Sequence, residues 1–117
     1  MNRFAIGFAV VLVAGCASLP APTEQMAVSR LAIANAVSAG GSEYAPVEMR
    51  AAQEKMDRAN RAIEKEDFEN ARRLAEEAQA DARLAEKKAQ SAKAQKAASV
   101  TQDDIRVLRD EMNRKSK

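Results

Sequence analysis

The stretch Phe68-Glu69-Asn70-Ala71-Arg72-Arg73-Leu74-Ala75-Glu76-Glu77-Ala78 decides the fold of this chain. Its apolar residues alternate spacings of three and four, and the alternation continues to residue 92, giving a seam of Phe68, Ala71, Ala75, Ala78, Ala82, Ala85, Ala89 and Ala92. This is the heptad pattern of a helix that packs along other helices. Alanine permits close approach of helix backbones but buries little apolar area. We therefore predict an all-α fold in which Met56, Ile63 and Leu31 supply larger side chains to the seam.

A second helix is predicted before the seam. Pro46 fits its first turn, where a missing N–H has no consequence, and Ala52, Met56, Ala59 and Ile63 then share one face. The stretch Lys65-Glu66-Asp67 has no apolar residue, and Asp67 is a good N-cap for the following helix. Because this break is short, the two helices should form an antiparallel hairpin of the tetratricopeptide-repeat kind. A single copy without a repeat period argues against a solenoid.

An N-terminal helix is predicted over 23–39, with Thr23 as its cap and Gly40-Gly41 as its end. Its apolar residues do not form one stripe, so it should be covered on more than one side. The residues 42–45 are expected to form a loop. With the hairpin, this helix completes a small helical bundle over residues 23–98.

A long helical extension is predicted after residue 92, where the alanine seam ends. Thr101-Gln102-Asp103-Asp104 resembles a helix cap, and Ile105, Leu108 and Met112 follow it as a short apolar stripe. The segment 99–117 is either a separate amphipathic helix or the end of one long helix. The apolar stripe is too small for this segment to fold alone, so we expect the segment to pack against the rest of the chain or against a partner.

The composition is poor in reactive side chains. The chain has no His, no Trp and one Cys, and its 19 Lys and Arg nearly balance its 17 Asp and Glu. The commonest general base and metal ligand are therefore missing, and no overall field would attract nucleic acid. We expect a non-enzyme with no catalytic residue, no metal site, no cofactor and no small-molecule substrate.

The N-terminus resembles the export signal of a bacterial lipoprotein. A basic start at Asn2-Arg3 precedes an apolar run that is too short to span a bilayer, and small residues lead to the single cysteine. The lipobox-like residues are Val13, Ala14, Gly15 and Cys16. This resemblance implies a signal peptide over 1–15, diacylglycerol and an N-acyl group on Cys16, and a tether over 16–22. Ala17 is not the aspartate that retains many lipoproteins in the inner membrane, so the expected location is the periplasmic side of the outer membrane of a Gram-negative bacterium.

Two motifs resemble those of a bacterial family. Glu43-Tyr44-Ala45-Pro46-Val47-Glu48-Met49 is similar to its loop-to-helix signature, and Asp67 to Ala78 is similar to its hairpin return. The family is a domain of unknown function that occurs in short alanine-rich envelope lipoproteins and ahead of OmpA-like domains. Glu66 stands where glycine is usual, and Phe68 where tyrosine is usual. The resemblance implies a helical envelope module and supplies no catalytic residue.

The sequence is compatible with three classes of function. The first is a non-catalytic envelope adaptor that binds another envelope protein or a second copy through a face made of Ala78, Ala82, Ala85 and Ala89. The sequence is equally compatible with a self-sufficient bundle in which these alanines bind no partner. The second is a membrane-to-peptidoglycan tether, covalent or non-covalent, through the basic C-terminal tip and Lys117. The C-terminal tip, Arg114-Lys115-Ser116-Lys117, resembles that of the abundant murein lipoprotein, whose last lysine is joined to peptidoglycan. The third, an enzyme or metal binder, is disfavoured by the missing chemistry.

Overall fold

The computed structural model of the chain describes residues 19–117, and all of its regular structure is helical. The predicted signal peptide, lipobox and Cys16 lie outside the described residues. Among those described, no helix is both long and apolar enough to cross a bilayer. The predicted all-α fold is confirmed, and it comprises α1 (Thr23–Ala39), α2 (Gly41–Tyr44), α3 (Pro46–Glu64) and α4 (Phe68–Lys115).

Helices α1 and α3 pack side by side on the first half of α4. One apolar cluster joins Met26 of α1, Met56 of α3 and Leu74 of α4, and a second joins Ala36, Met49 and Ala85. From the start of α4 towards its middle, the contacts therefore move towards the C-terminal end of α1 and towards the N-terminal end of α3. Consequently α3 is antiparallel to α4, as the hairpin prediction requires, and α1 is parallel to α4.

The turn between α3 and α4 is made without glycine. Glu66 adopts a left-handed backbone with φ 57°, its N–H donates to the Ile63 carbonyl at 2.9 Å, and the Asp67 N–H donates to the Ala62 carbonyl at 2.9 Å. These bonds satisfy carbonyls that the end of α3 leaves open. Asp67 then caps α4, because its Oδ1 accepts from the Asn70 N–H at 3.2 Å. The predicted role of Asp67 is confirmed.

The connection from α1 to α3 differs from the predicted loop over 42–45. Gly40 ends α1 in a left-handed conformation with φ 94°, and α2 begins at the next residue. The start of α2 lies very close to α1, since a Cβ on Gly41 would lie 2.8 Å from the Ala36 carbonyl oxygen. A single helical turn satisfies its own backbone polar groups in this narrow space.

Two predicted caps are wrong. Thr23 is the first residue of α1 rather than its cap, and the preceding residue is Pro22, whose carbonyl accepts from the Met26 N–H at 3.0 Å. Thr101 lies inside α4, where its hydroxyl donates to the Ala97 carbonyl at 3.0 Å. The question left open for residues 67–117 is thereby resolved, because α4 continues through the predicted boundary at residue 99 to Lys115.

Candidate functional site

The alanine seam of α4 is the core of the bundle. Its central residues are completely buried, with 0% exposure for Ala71, Ala75, Ala78, Ala82, Ala85 and Ala89. The prediction that Ala78, Ala82, Ala85 and Ala89 form a partner-binding face is therefore wrong. Small side chains let α1 and α3 approach α4 closely, and the chain covers this face by itself. We call these six residues the inner face of α4.

Methionines, rather than the predicted leucine, fill the space around the inner face. Met26, Met49 and Met56 are 3–6% exposed, whereas Leu31 is 60% exposed and points away from the bundle. Ile63, the third predicted contributor, is partly buried and packs against the cluster of Met56. Unbranched methionine adapts to the irregular gaps that a row of alanines leaves. The helix contact also includes one buried polar residue, Ser29, whose hydroxyl lies 2.7 Å from the Ala75 carbonyl oxygen.

Two ion pairs join the edges of α3 and α4. The Lys55 ammonium donates to Asp81 at 2.6 Å and lies 3.7 Å from Glu77, so the hydrogen bond to Asp81 raises the pKa of Lys55 above its usual range. The Lys88 ammonium donates to Glu48, and this bond lowers the pKa of the Glu48 carboxyl below its usual value. Opposite charges therefore face each other across the α3–α4 hairpin. They do not line a closed pocket suited to acid–base catalysis.

The opposite side of α4 carries a second heptad pattern, which we call the outer seam. Spacings of four and three alternate without interruption from residue 80 to residue 112, and every member is exposed. The two seams lie on opposite sides of the helix: with the outer seam at heptad positions a and d, the inner face from residue 75 onward falls on positions b and f. The outer seam consists of Ala80, Leu84, Lys87, Ser91, Ala94, Ala98, Thr101, Ile105, Leu108 and Met112.

The second half of α4 projects beyond the bundle. Every residue from Lys93 to Lys117 is exposed, so within the described chain nothing covers this segment. Its large apolar residues include Ile105, Leu108 and Met112, which are 50%, 60% and 72% exposed. An isolated helix with such a stripe gains stability by burying it against another helix.

The N-terminal end of the described chain lies at the end of α4 opposite to the projection. Leu19, Pro20 and Pro22 line one open cleft together with Phe68 and Arg72. Cys16 lies only three residues before Leu19 in the sequence. Lys117 lies at the far tip, since α4 spans roughly 72 Å at 1.5 Å per residue.

The structure brings none of the remaining predicted site residues together. Val13, Ala14, Gly15 and Cys16 lie outside the described residues, and Lys117 is exposed at the tip. Within residues 19–117 no group of three or more acidic or cysteine side chains is placed to hold a metal ion. Sequence reasoning missed the outer seam. The alternating spacing that begins at Ala80 could have revealed it, had the stripe at Ile105 been followed back towards the bundle.

The geometry defines a small α-helical module with one long projecting helix. Residues 24–100 match the family described as Domain of unknown function (DUF4398). Because this match covers most of the chain, the protein belongs to that family, as the two motifs predicted. No curated protein and no solved structure matches the chain significantly.

Proposed function

We propose that this protein is a lipid-anchored, non-catalytic adaptor of the cell envelope that acts on the periplasmic side of the outer membrane. Lipid on Cys16 would hold the bundle at the bilayer, and the outer seam of α4 would bind a partner. The observation that carries the proposal is the contrast between the two faces of α4. Every residue of the inner face is buried and every residue of the outer seam is exposed, on the same helix.

The exposed seam supports docking because it is less charged than a helix face that contacts only water. A helix face that only meets water is typically charged, yet Lys87 is the one charged residue among the ten residues of the outer seam. The seam also continues onto the bundle, where Leu84 is 48% exposed. A partner helix on this side would contact both the bundle and the projection.

Metabolic labelling tests the anchor. Cells expressing the full chain are fed labelled palmitate, and the protein is followed through separation of inner and outer membranes. We expect label on the wild type, located in the outer-membrane fraction, and none on the Cys16→Ser variant. An unlabelled wild-type protein in the periplasmic extract would overturn the anchoring proposal.

Photocrosslinking in living cells tests the docking surface. A photoreactive residue replaces Leu108 in one variant and Asp110 in the matched control, which lies two residues away on the opposite side of α4. We expect a discrete crosslinked product from position 108 and none from position 110. Equal amounts of crosslinked product from both positions would show that the seam has no specific partner.

A peptidoglycan tether is the second candidate function. It is favoured by the position of Lys117 at the tip, with the length of α4 between it and the N-terminal end of the bundle. In this role the terminal lysine would be linked to the wall, or the basic tip would bind the wall without a covalent bond.

The tether is tested on cell walls boiled in SDS and then digested with muramidase. A covalent tether predicts that muramidase releases the protein from wild-type walls and not from walls of a strain lacking Lys117. Boiled walls without the protein would exclude covalent attachment. A co-sedimentation assay with purified peptidoglycan then addresses non-covalent binding.

A further inference from the structure

We infer that the occupant of the outer seam is a second copy of this chain, paired antiparallel along α4. This deepens the adaptor role and rests on it only for the use of the outer seam as a docking surface. It does not depend on the lipid anchor. Three features carry the inference: the length of the seam, the charges beside it and the sizes of its residues.

The seam is long enough for a coiled coil. It runs from Ala80 to Met112, roughly 50 Å at 1.5 Å per residue. The helix is already formed in the single chain, so pairing does not have to nucleate it. Because α1 and α3 cover the opposite side of α4, they leave the outer seam open to a second α4.

The flanking charges distinguish the two possible orientations. In an antiparallel pair that sets residue 84 against residue 108 of the second copy, Arg83 faces Glu111 of the second copy and Asp81 faces its Arg109. Each contact occurs twice by symmetry, which gives four attractive pairs. A parallel pair in register instead sets Arg83 against Lys88 and Glu76 against Asp81, both like-charged, and its one attractive contact of this kind is Asp104 against Arg109. Among residues 19–117, neither Arg83 nor Glu111 has an ion-pair partner within its own chain.

The residue sizes match the same register. The antiparallel alignment places Met112 opposite Ala80, Leu108 opposite Leu84, and Ile105 opposite the aliphatic stem of Lys87. The middle of the pair is made by Ala94 and Ala98, where backbones can approach closely. Parallel pairing would instead stack the large residues of the projection on one another and set Lys87 against Lys87.

The register has a consequence for the whole assembly. It sets residue 117 beside residue 75 of the second copy, so Lys117 points back along the partner's bundle. It also separates the two copies of Phe68 by roughly 85 Å at 1.5 Å per residue. In this pair each tip therefore lies beside the partner's bundle, whereas the tether requires a tip that extends beyond the assembly.

Cysteine crosslinking of the full chain tests the pair. In the antiparallel register position 97 faces its own symmetry mate, whereas position 96, next to it, points away from the partner. Ala97→Cys and Lys96→Cys are therefore matched variants, both on the exposed projection and outside the bundle core. With a short bismaleimide we expect a covalent dimer from Ala97→Cys and at least tenfold less from Lys96→Cys. Leu108→Cys should form no dimer, since its two copies lie roughly 36 Å apart along the axis.

The alternatives give different patterns. A dimer from Leu108→Cys without one from Ala97→Cys would mean a parallel pair and would overturn the proposal. No dimer from any position would exclude a second copy as the occupant. Wild-type protein serves as the control for Cys16. A dimer formed through Cys16 would show that its thiol is free, and this result would contradict only the lipid anchor.

Charge reversal gives an independent measurement. Arg83→Glu places an acid against Glu111 of the second copy, so we expect at least a tenfold rise in the dimer dissociation constant. Adding Glu111→Arg restores the opposite charges and should recover most of that loss. Equal dissociation constants for the single variant and the wild type would contradict the antiparallel register.

Discussion

At the scale of single residues, Glu66 shows what the fold requires of the turn between α3 and α4. Its φ of 57° lies in the left-handed region, which costs an L-residue roughly 1–2 kcal/mol. The two backbone hydrogen bonds of the turn hold it there. The glycine that the family resemblance places at this position would adopt this conformation without strain.

We expect Glu66→Gly to raise the free energy of unfolding by about 0.5–1 kcal/mol, because relief of strain exceeds the added entropy of the unfolded chain. Thermal unfolding followed by circular dichroism measures the change. Lys65→Gly is the matched control, and its ordinary φ of −90° predicts destabilisation. Destabilisation by both variants would contradict the assignment of strain to Glu66.

The burial of single alanines separates the two sides of α4. Ala82 has no exposed surface, whereas Ala80, two residues earlier, is exposed. Ala82→Leu forces added methylene groups between closely packed helices, and we expect a loss of about 1–3 kcal/mol of stability. Ala80→Leu should change stability by less than about 0.5 kcal/mol when measured on the single chain. Chemical denaturation of both variants is the test, and equal losses would contradict the placement of the inner face.

At the scale of helices, the pair of Glu48 and Lys88 links the stability of the hairpin to pH. The pKa of Glu48 is lowered from its ordinary value of 4.5 by the Lys88 ammonium. The folded state therefore binds this proton more weakly than the unfolded state does. The pair stabilises the fold above the ordinary pKa, and this stabilisation is lost as the pH falls through the lowered pKa.

The Glu48→Gln variant should accordingly melt below the wild type at pH 7, and the difference should shrink as the pH falls below 4.5. Melting temperatures at a series of pH values provide the measurement. Lys55 has its pKa raised and stays protonated throughout this range. A difference between variant and wild type that is constant with pH would contradict the role of the pair.

The helices could be predicted from the sequence to different degrees. The spacing of the alanine seam, Pro46 and Asp67 predicted α3, α4 and the turn between them, because these signals are local. The turn of helix in α2 escaped prediction, since it depends on the close approach of Gly41 to α1 rather than on its own four residues. The continuity of α4 through Thr101 was also left open. A threonine followed by two aspartates suits a helix cap and an exposed helix interior equally well by sequence alone.

At the scale of the whole molecule, the sequence predicted that an uncovered face exists but placed it on the wrong side of α4. Alanines are short enough to disappear under α1 and α3, and only the packing shows that Ala78, Ala82, Ala85 and Ala89 are already covered. The outer seam was detectable as a pattern. Its significance required knowing that the seam residues beside the bundle, Ala80, Leu84, Lys87 and Ser91, are exposed. Cys16 lies outside the described residues, so the anchor stays a prediction from sequence.

A single outer-seam residue should therefore control assembly without controlling the fold. Leu108→Glu and Val107→Glu introduce the same charge at neighbouring positions that are similarly exposed, 60% and 58%. Only Leu108 belongs to the outer seam. Both variants should keep the helical circular dichroism spectrum of the wild type, because neither residue contacts the bundle.

Helix α4 closes the fold with its inner face and, in the proposed pair, binds a second chain with its outer seam. Sedimentation equilibrium of the full chain in detergent, with the Leu108→Glu and Val107→Glu variants for comparison, measures whether that pair forms. We predict twice the single-chain mass for the wild type and Val107→Glu, and the single-chain mass for Leu108→Glu. The single-chain mass for the wild type at every concentration, or one mass for all three proteins, would contradict the proposed pair.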